Sequence, residues 1–265
     1  MKIGVVGCGG RMGRTLLAEI LNTTGAALAG GTEHPESDLL GRDVASLIGE
    51  ADSGHAIIQE AADLFKTADA VIDFTAPAAT AEHAALAADH GTPLIIGTTG
   101  MEAEHQRAVD QAAEEVAIVQ APNFSVGVNV LLQLTRQLAG ILDEDFDIEV
   151  LEMHHRHKVD APSGTALALG QAAAEGRAVE LDAVADRGRD GQTGARKRGD
   201  IGFAVLRGGN VVGDHTVFFA AENERIELTH KAGDRSIFAR GAVRSALWAV
   251  RQKPGLYSMK DVLGF

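Results

Sequence analysis

Residues 2–13, Lys2-Ile3-Gly4-Val5-Val6-Gly7-Cys8-Gly9-Gly10-Arg11-Met12-Gly13, decide the architecture. The apolar run from Ile3 to Val6 predicts a strand, and Gly7, Gly10 and Gly13 predict a tight turn that opens a helix. A helix start presents unpaired N–H groups at the positive end of its dipole, so a glycine turn that lets backbone come close suits a pyrophosphate. The spacing G-x-x-G-x-x-G is a variant of the dinucleotide fingerprint, and taken alone it is equally the mark of a plain tight turn. Glu33 lies 20 residues past Gly13, at the end of the next strand-like run. A carboxylate there can accept from the adenosine ribose hydroxyl. Together these signals predict NADH or NADPH binding with contacts at Gly7, Cys8, Gly9, Gly10, Arg11, Met12, Glu33 and His34. At His34 an Arg or Lys would favour the 2′-phosphate of NADPH, whereas Glu33 repels it, so NADH is expected to serve at least as well.

Working outward, short apolar runs at 2–7, 26–33, 56–59, 70–75, 93–97 and 116–121 alternate with amphipathic stretches such as 77–90 and 101–115. The amphipathic stretches are long enough for the crossover helices of βαβ units, which predicts a doubly wound parallel sheet of Rossmann type. Three later strand ends carry small or amide-bearing residues: Asp73-Phe74-Thr75, Gly97-Thr98-Thr99-Gly100 and Ala121-Pro122-Asn123-Phe124. Ligands of open α/β sheets bind beyond the carboxyl ends of strands. Each segment singly is an ordinary strand-to-helix turn. Their recurrence puts Gly97, Thr98, Thr99, Ala121, Pro122, Asn123 and Phe124 beside the expected nicotinamide and its ribose.

From Val126 the pattern changes to a helical run to residue 142, a strand at 146–153 and a helix at 163–176. Residues 186–200 carry five basic side chains without apolar periodicity and read as a loop, more readily solvated than bound to nucleic acid. Residues 201–231 supply strand-like runs broken by Gly208-Gly209-Asn210 and Glu222-Asn223, as in antiparallel hairpins or a meander. The amphipathic tail at 234–252 can either close this second, mixed α/β domain or return to the first. Periodicity does not choose.

With 45% hydrophobic and 23% charged residues, the 265-residue chain can bury sizeable cores and is not of disordered composition. A net charge of -13 repels nucleic acid and anionic membrane surfaces, and any anionic substrate then needs a local cluster of cations. The single cysteine, Cys8, and the lack of a charged leader before an apolar stretch make the cytoplasm the expected location.

Such a cationic cluster exists. His154-His155-Arg156-His157-Lys158 places three His, one Arg and one Lys in five residues, and Ser163-Gly164-Thr165 opens an Ala-rich helix. A capped helix start beside cations suits a carboxylate, and a dicarboxylate fits the whole. The plainer readings are a Ser that only caps the helix and a His cluster that binds metal. Arg156 and Lys158 oppose a metal dication, and none is expected. On the residues alone, a different Rossmann-type reductase, a non-catalytic dinucleotide sensor and a metal-dependent hydrolase also remain open.

The block His154-His155-Arg156-His157-Lys158-Val159-Asp160-Ala161-Pro162-Ser163-Gly164-Thr165 resembles the signature of the dihydrodipicolinate reductase family. The resemblance extends to Gly7 through Gly13, Val71 through Thr75, Gly97 through Gly100, Ala121 through Phe124, Gly199 through Phe203 and Gly241 through Trp248, nearly the whole chain. It implies a dinucleotide-binding domain at 1–125 plus 236–265 and a substrate-binding and tetramer-forming domain at 126–235. It also implies His154 as proton donor or acceptor, Lys158 as proton donor, and His155, Ser163, Gly164 and Thr165 with Lys158 as substrate ligands. The implied reaction is NADH- or NADPH-dependent reduction of a cyclic dicarboxylate in lysine biosynthesis, by a homotetramer. His34 departs from the Arg common in members that use NADPH.

Overall fold

Four of the five residues of strand β1 (Lys2–Val6) are buried, as a parallel strand covered on both faces requires. In the computed structural model, which describes all residues from Met1 to Phe265, β1 is followed by α1 (Arg11–Asn22), β2 (Ala27–Thr32), β3 (Ile57–Ile58), α2 (Ala61–Thr67), β4 (Ala70–Asp73), α3 (Pro77–His90), β5 (Leu94–Ile96), α4 (Ala103–Ala113) and β6 (Ala117–Gln120). Then come α5 (Val126–Ile141), β7 (Asp147–His154), α6 (Gly164–Gly176), α7 (Leu181–Val184), β8 (Ala185–Asp186), β9 (Ile201–Arg207), β10 (Asp214–Ala220), β11 (Arg225–Lys231), α8 (Ser236–Ala249), β12 (Gly255–Tyr257) and α9 (Met259–Leu263). The chain divides into two units, Met1–Val126 with Arg235–Phe265, and Gly127–Asp234.

In the first unit seven parallel strands lie in the order β12-β6-β5-β4-β1-β2-β3, the doubly wound arrangement expected from the alternating pattern. Side-chain alternation sorts the core into two layers. Ile3, Val5, Ile72, Ile95 and Val119 face α1 and α8 through Leu16, Leu17, Ala242 and Ala246. Val6, Val71, Leu94, Ile96 and Ile118 face the other helices through Phe65, Ala84 and Val109. Each such fully buried aliphatic side chain contributes roughly 1.5–3 kcal/mol. The tail therefore returns to the first unit, where α8 covers one layer, and it adds the edge strand β12, too short to be read from its residues.

In the second unit the five-stranded sheet runs β11-β10-β7-β9-β8. Residues 201–231 do not form a simple meander. β10 and β11 make the expected antiparallel hairpin, but β7 lies between β9 and β10, parallel to the first and antiparallel to the second. Either arrangement has the same period-2 pattern, so the sequence could not distinguish them. Ile148, Val150, Ile201, Phe203, Val217 and Phe219 cover one face with Leu169 and Ala173 of α6. The basic loop is held by ion pairs: Arg196 donates to Asp147 at 2.7 Å and to Glu149 at 2.9 Å, and Arg189 reaches Glu149 at 2.8 Å. No helix is long and apolar enough to cross a membrane.

Candidate active site

In the first unit, β1 ends at Gly7, whose φ of +65° is a left-handed conformation that glycine adopts without strain. Gly13 lets α1 press against the turn, since a Cβ there would lie 2.3 Å from the Gly7 carbonyl oxygen. The N-cap, Gly10, offers no side-chain cap, and the first turn of α1 carries no acidic residue. Its N–H groups and dipole are thus left for an anion, so the turn fits the pyrophosphate of a dinucleotide. Glu33 Oε1 accepts from Gly9 N–H at 2.7 Å, and His34 beyond it is exposed. Cys8 is fully buried. Burial, with the nearby Glu33 charge, pushes its thiol up to about 12, so any cofactor contact it makes is through backbone.

A cavity of about 560 Å³ at these strand ends is lined by Gly7, Glu33, His34, Thr75, Glu82 and His83, among others. Below it lies an arrangement that sequence reading missed. Buried Asp73 accepts from Thr75 N–H at 2.8 Å and Thr75 Oγ1 at 2.6 Å, and pairs with His83 Nδ1 at 2.8 Å. Burial alone would raise the Asp73 pKa, but the bonds and charge of His83 and the bonds of Thr75 outweigh it, and the net shift is downward. Thr98 is buried and accepts from Thr80 Oγ1 at 2.9 Å, while Thr99 is exposed. Gly97 closes on the ring of Phe74, which tilts against Phe124 at 5.6 Å. Phe124 and Ala121 are buried, Pro122 is exposed, and Asn123 Oδ1 accepts from Ser125 N–H at 2.8 Å.

In the second unit, strand alternation makes the chemistry. Ile148, Val150, Glu152 and His154 are the buried face of β7, so the strand that builds the core delivers a carboxylate and an imidazole at its end. Glu152 is fully buried and accepts from His154 Nδ1 at 2.6 Å, from Arg207 Nη1 at 2.8 Å and Nη2 at 2.9 Å, and from Ser163 N–H at 2.9 Å. Burial pushes its pKa up, but these hydrogen bonds win and the net shift is downward. His215 packs edge-on against His154 with ring centroids 5.1 Å apart. Burial, reinforced by repulsion from His154, pushes its pKa down to about 4, so it is neutral at pH 7.

The remaining residues of the cationic block surround this group. Lys158 Nζ pairs with Asp160 Oδ1 at 2.8 Å. His155 is half-buried, with its Nδ1 buried and without a hydrogen-bond partner. Arg156 and His157 are exposed. Ser163 caps α6 by accepting from Ala166 N–H at 3.2 Å, and its hydroxyl also meets His215 Nε2 at 3.2 Å. Its side chain is thus committed to the protein. Gly164 faces open space, with nothing within 4 Å of an added Cβ, and Thr165 is half-buried beside it. Glu152 lies two residues before the cationic block, and its role, like those of Arg207 and His215, was not legible in the local sequence. The alternation Ile148, Val150, Glu152, His154 was the available signal. No group of three or more His, Cys, Asp or Glu side chains is arranged to hold a metal ion.

Comparison with known proteins agrees with both halves. The family model for the N-terminus of dihydrodipicolinate reductase matches residues 1–124, and that for its C-terminus matches residues 127–263. A 4-hydroxy-tetrahydrodipicolinate reductase of Parvibaculum lavamentivorans is 59% identical over 265 residues, covering 100% of this chain and 98% of its own. One from Afipia carboxidovorans is 56% identical, covering 100% and 97%. Among solved structures, the dipicolinate-bound dihydrodipicolinate reductase of Paenisporosarcina sp. TG-14 superposes with a TM-score of 0.78 at 25% identity, covering 97% of each chain. A probable dehydrogenase from Thermotoga maritima shares the fold at a TM-score of 0.58 and 14% identity, covering 99% of this chain and 92% of that one. The chain belongs to the dihydrodipicolinate reductase family.

Proposed function

We propose that this protein reduces 4-hydroxy-tetrahydrodipicolinate to tetrahydrodipicolinate with NADH or NADPH, in the diaminopimelate route to lysine. The observation that carries the reading is the bonded group of buried Glu152 and His154 with half-buried Arg207, beside Lys158 and the open start of α6, in a chain 59% identical to a reductase of that name. The first unit binds the dinucleotide, and the second binds the substrate and mediates assembly of a cytoplasmic homotetramer.

When bound, the reduced nicotinamide supplies the hydride. Loss of the substrate's 4-hydroxyl as water leaves a conjugated imine; hydride addition to it builds negative charge that a proton must meet, and the chain's own groups provide that proton. Lys158, drawn from its pair with Asp160, donates a proton from Nζ. His154 gives or takes one at Nε2, because its Nδ1 is occupied by Glu152. The backbone at Gly164 and Thr165, at the positive end of α6, receives a substrate carboxylate, with His155 and the cationic block beside it. Gly7, Gly9, Gly10, Arg11, Met12 and the backbone of Cys8 cradle the pyrophosphate. Gly97, Thr98, Thr99 and the segment Ala121, Pro122, Asn123, Phe124 border the nicotinamide half.

Cofactor choice follows from charge. Glu33, Glu60 and Glu82 line the cavity at the end of β2, and a 2′-phosphate there meets carboxylates rather than an arginine fork. NADH therefore serves at least as well as NADPH. The test is an assay in which freshly generated substrate is added with either cofactor and oxidation is followed. Oxidation dependent on that substrate, at least as efficient with NADH, is expected. Dinucleotide binding without turnover would support a sensor instead.

A further inference from the structure

We infer that Glu152 is a positioning residue that fixes His154 and the start of α6 with one carboxylate, and that Arg207 is the counter-charge that keeps His154 able to exchange a proton. The inference rests on the reading of His154 as the acid–base group, and it adds two residues that lie outside the cationic block.

Both carboxylate oxygens of Glu152 are fully used. Oε2 accepts from His154 Nδ1 and Arg207 Nη1, and Oε1 accepts from Ser163 N–H and Arg207 Nη2. Sheet register brings these groups together: β7 and β9 pair His154 with Arg207, and β7 and β10 pair Glu152 with His215. Because Oε1 holds the N-cap residue of α6, a movement of the carboxylate displaces the imidazole and the helix start together. The bond to Nδ1 selects the tautomer with its proton on Nδ1 and turns Nε2 away from the carboxylate. Nε2 faces Gly213, where an added Cβ would lie 2.9 Å from it, so glycine leaves room beside the reactive nitrogen.

The charge balance explains why a third member is present. A buried carboxylate bonded to an imidazole favours the imidazolium, and an uncompensated pair would hold the proton rather than exchange it. Arg207 spends two donors on the same carboxylate and moderates that pull. Of the other titratable groups, His215 from β10 packs against the His154 ring, Lys158 and Asp160 lie in the following loop, and Lys158 and His230 of β11 act on His215. Asp160 is engaged by Lys158, and its carbonyl accepts from Arg207 at 2.6 Å.

The two substitutions should therefore shift His154 in opposite directions. The test is an NMR titration of the His154 ring nitrogens in the cofactor-free full chain, together with the pH profile of turnover. Glu152→Gln removes the negative charge while Arg207 stays, so the His154 midpoint falls by on the order of one pH unit and the Nδ1 tautomer loses its dominance. Arg207→Gln leaves the carboxylate without its counter-charge, and the midpoint rises by a similar amount. Arg207→Lys keeps the charge and restores most of the wild-type midpoint, which also covers the case in which Glu152→Gln does not fold. Midpoints that are unmoved, or that move in the same direction in the Glu152 and Arg207 variants, overturn the proposal. The titration needs no substrate, so its failure is distinct from a wild-type enzyme that does not turn over.

Discussion

Glu33 Oε1 accepts a hydrogen bond from Gly9 N–H at 2.7 Å, so the carboxylate at the end of β2 is tied to the turn proposed to receive the pyrophosphate. On the proposed reading, one residue thereby shapes the phosphate cradle and sets the charge where NADH and NADPH differ. Glu33→Gln keeps an acceptor for Gly9 and removes the charge. The ratio of NADPH to NADH dissociation constants, measured by titration calorimetry, should shift towards NADPH by about tenfold, or ~1.4 kcal/mol.

Gly13→Ala tests the cradle itself. The new Cβ would sit 2.3 Å from the Gly7 carbonyl oxygen and 2.6 Å from that of Cys8, both backbone atoms that cannot swing aside. The turn must open, and overpacking of this kind costs about 1–3 kcal/mol. Denaturant unfolding should show that loss, and dinucleotide binding should fall below detection while the fold of the second unit is retained.

Lys158→Ala removes the proposed proton donor from a residue that is partly exposed and bonded only to Asp160 among acidic groups. Turnover should fall by ~10²–10⁴, the range for a positioned acid or base. NADH affinity, measured in the same preparation, should be unchanged. Unaltered turnover would remove Lys158 from the mechanism.

The Asp73 and His83 pair predicts an acid limb in the stability of the first unit. The folded pKa of Asp73 lies below its ordinary value of 3.8, so the contribution is fully present above that value and is lost as pH falls through the lower, folded one. Asp73→Asn should cost about 1–3 kcal/mol at neutral pH, because donors from Thr75 and His83 lose their charged acceptor. The difference from wild type should shrink in strongly acidic solution, as urea midpoints measured across pH will show.

What was legible in the sequence was local. The Gly7 to Gly13 turn, Glu33 after the second strand and the block from His154 to Thr165 are contiguous or regularly spaced, and the parallel sheet follows from alternating apolar runs. What escaped depends on register and packing. Arg207 lies 55 residues from Glu152, and their meeting requires β9 to insert beside β7, which no periodicity specifies. His215 reaches Ser163 only because β10 occupies the other edge of β7. His83 finds Asp73 because the first turns of α3 fold back over the end of β4. Ser163 shows the opposite limit: its position as a helix cap was readable, but its bond to His215 was not.

The most direct test of the central claim is to run the reaction with NADH deuterated at the transferable position of the nicotinamide and to weigh the product. Tetrahydrodipicolinate carrying a single deuterium, formed in step with cofactor oxidation by the wild-type protein and at least a hundredfold more slowly by Lys158→Ala, is the predicted result. Cofactor oxidised without labelled product, or no oxidation despite bound dinucleotide, would contradict it.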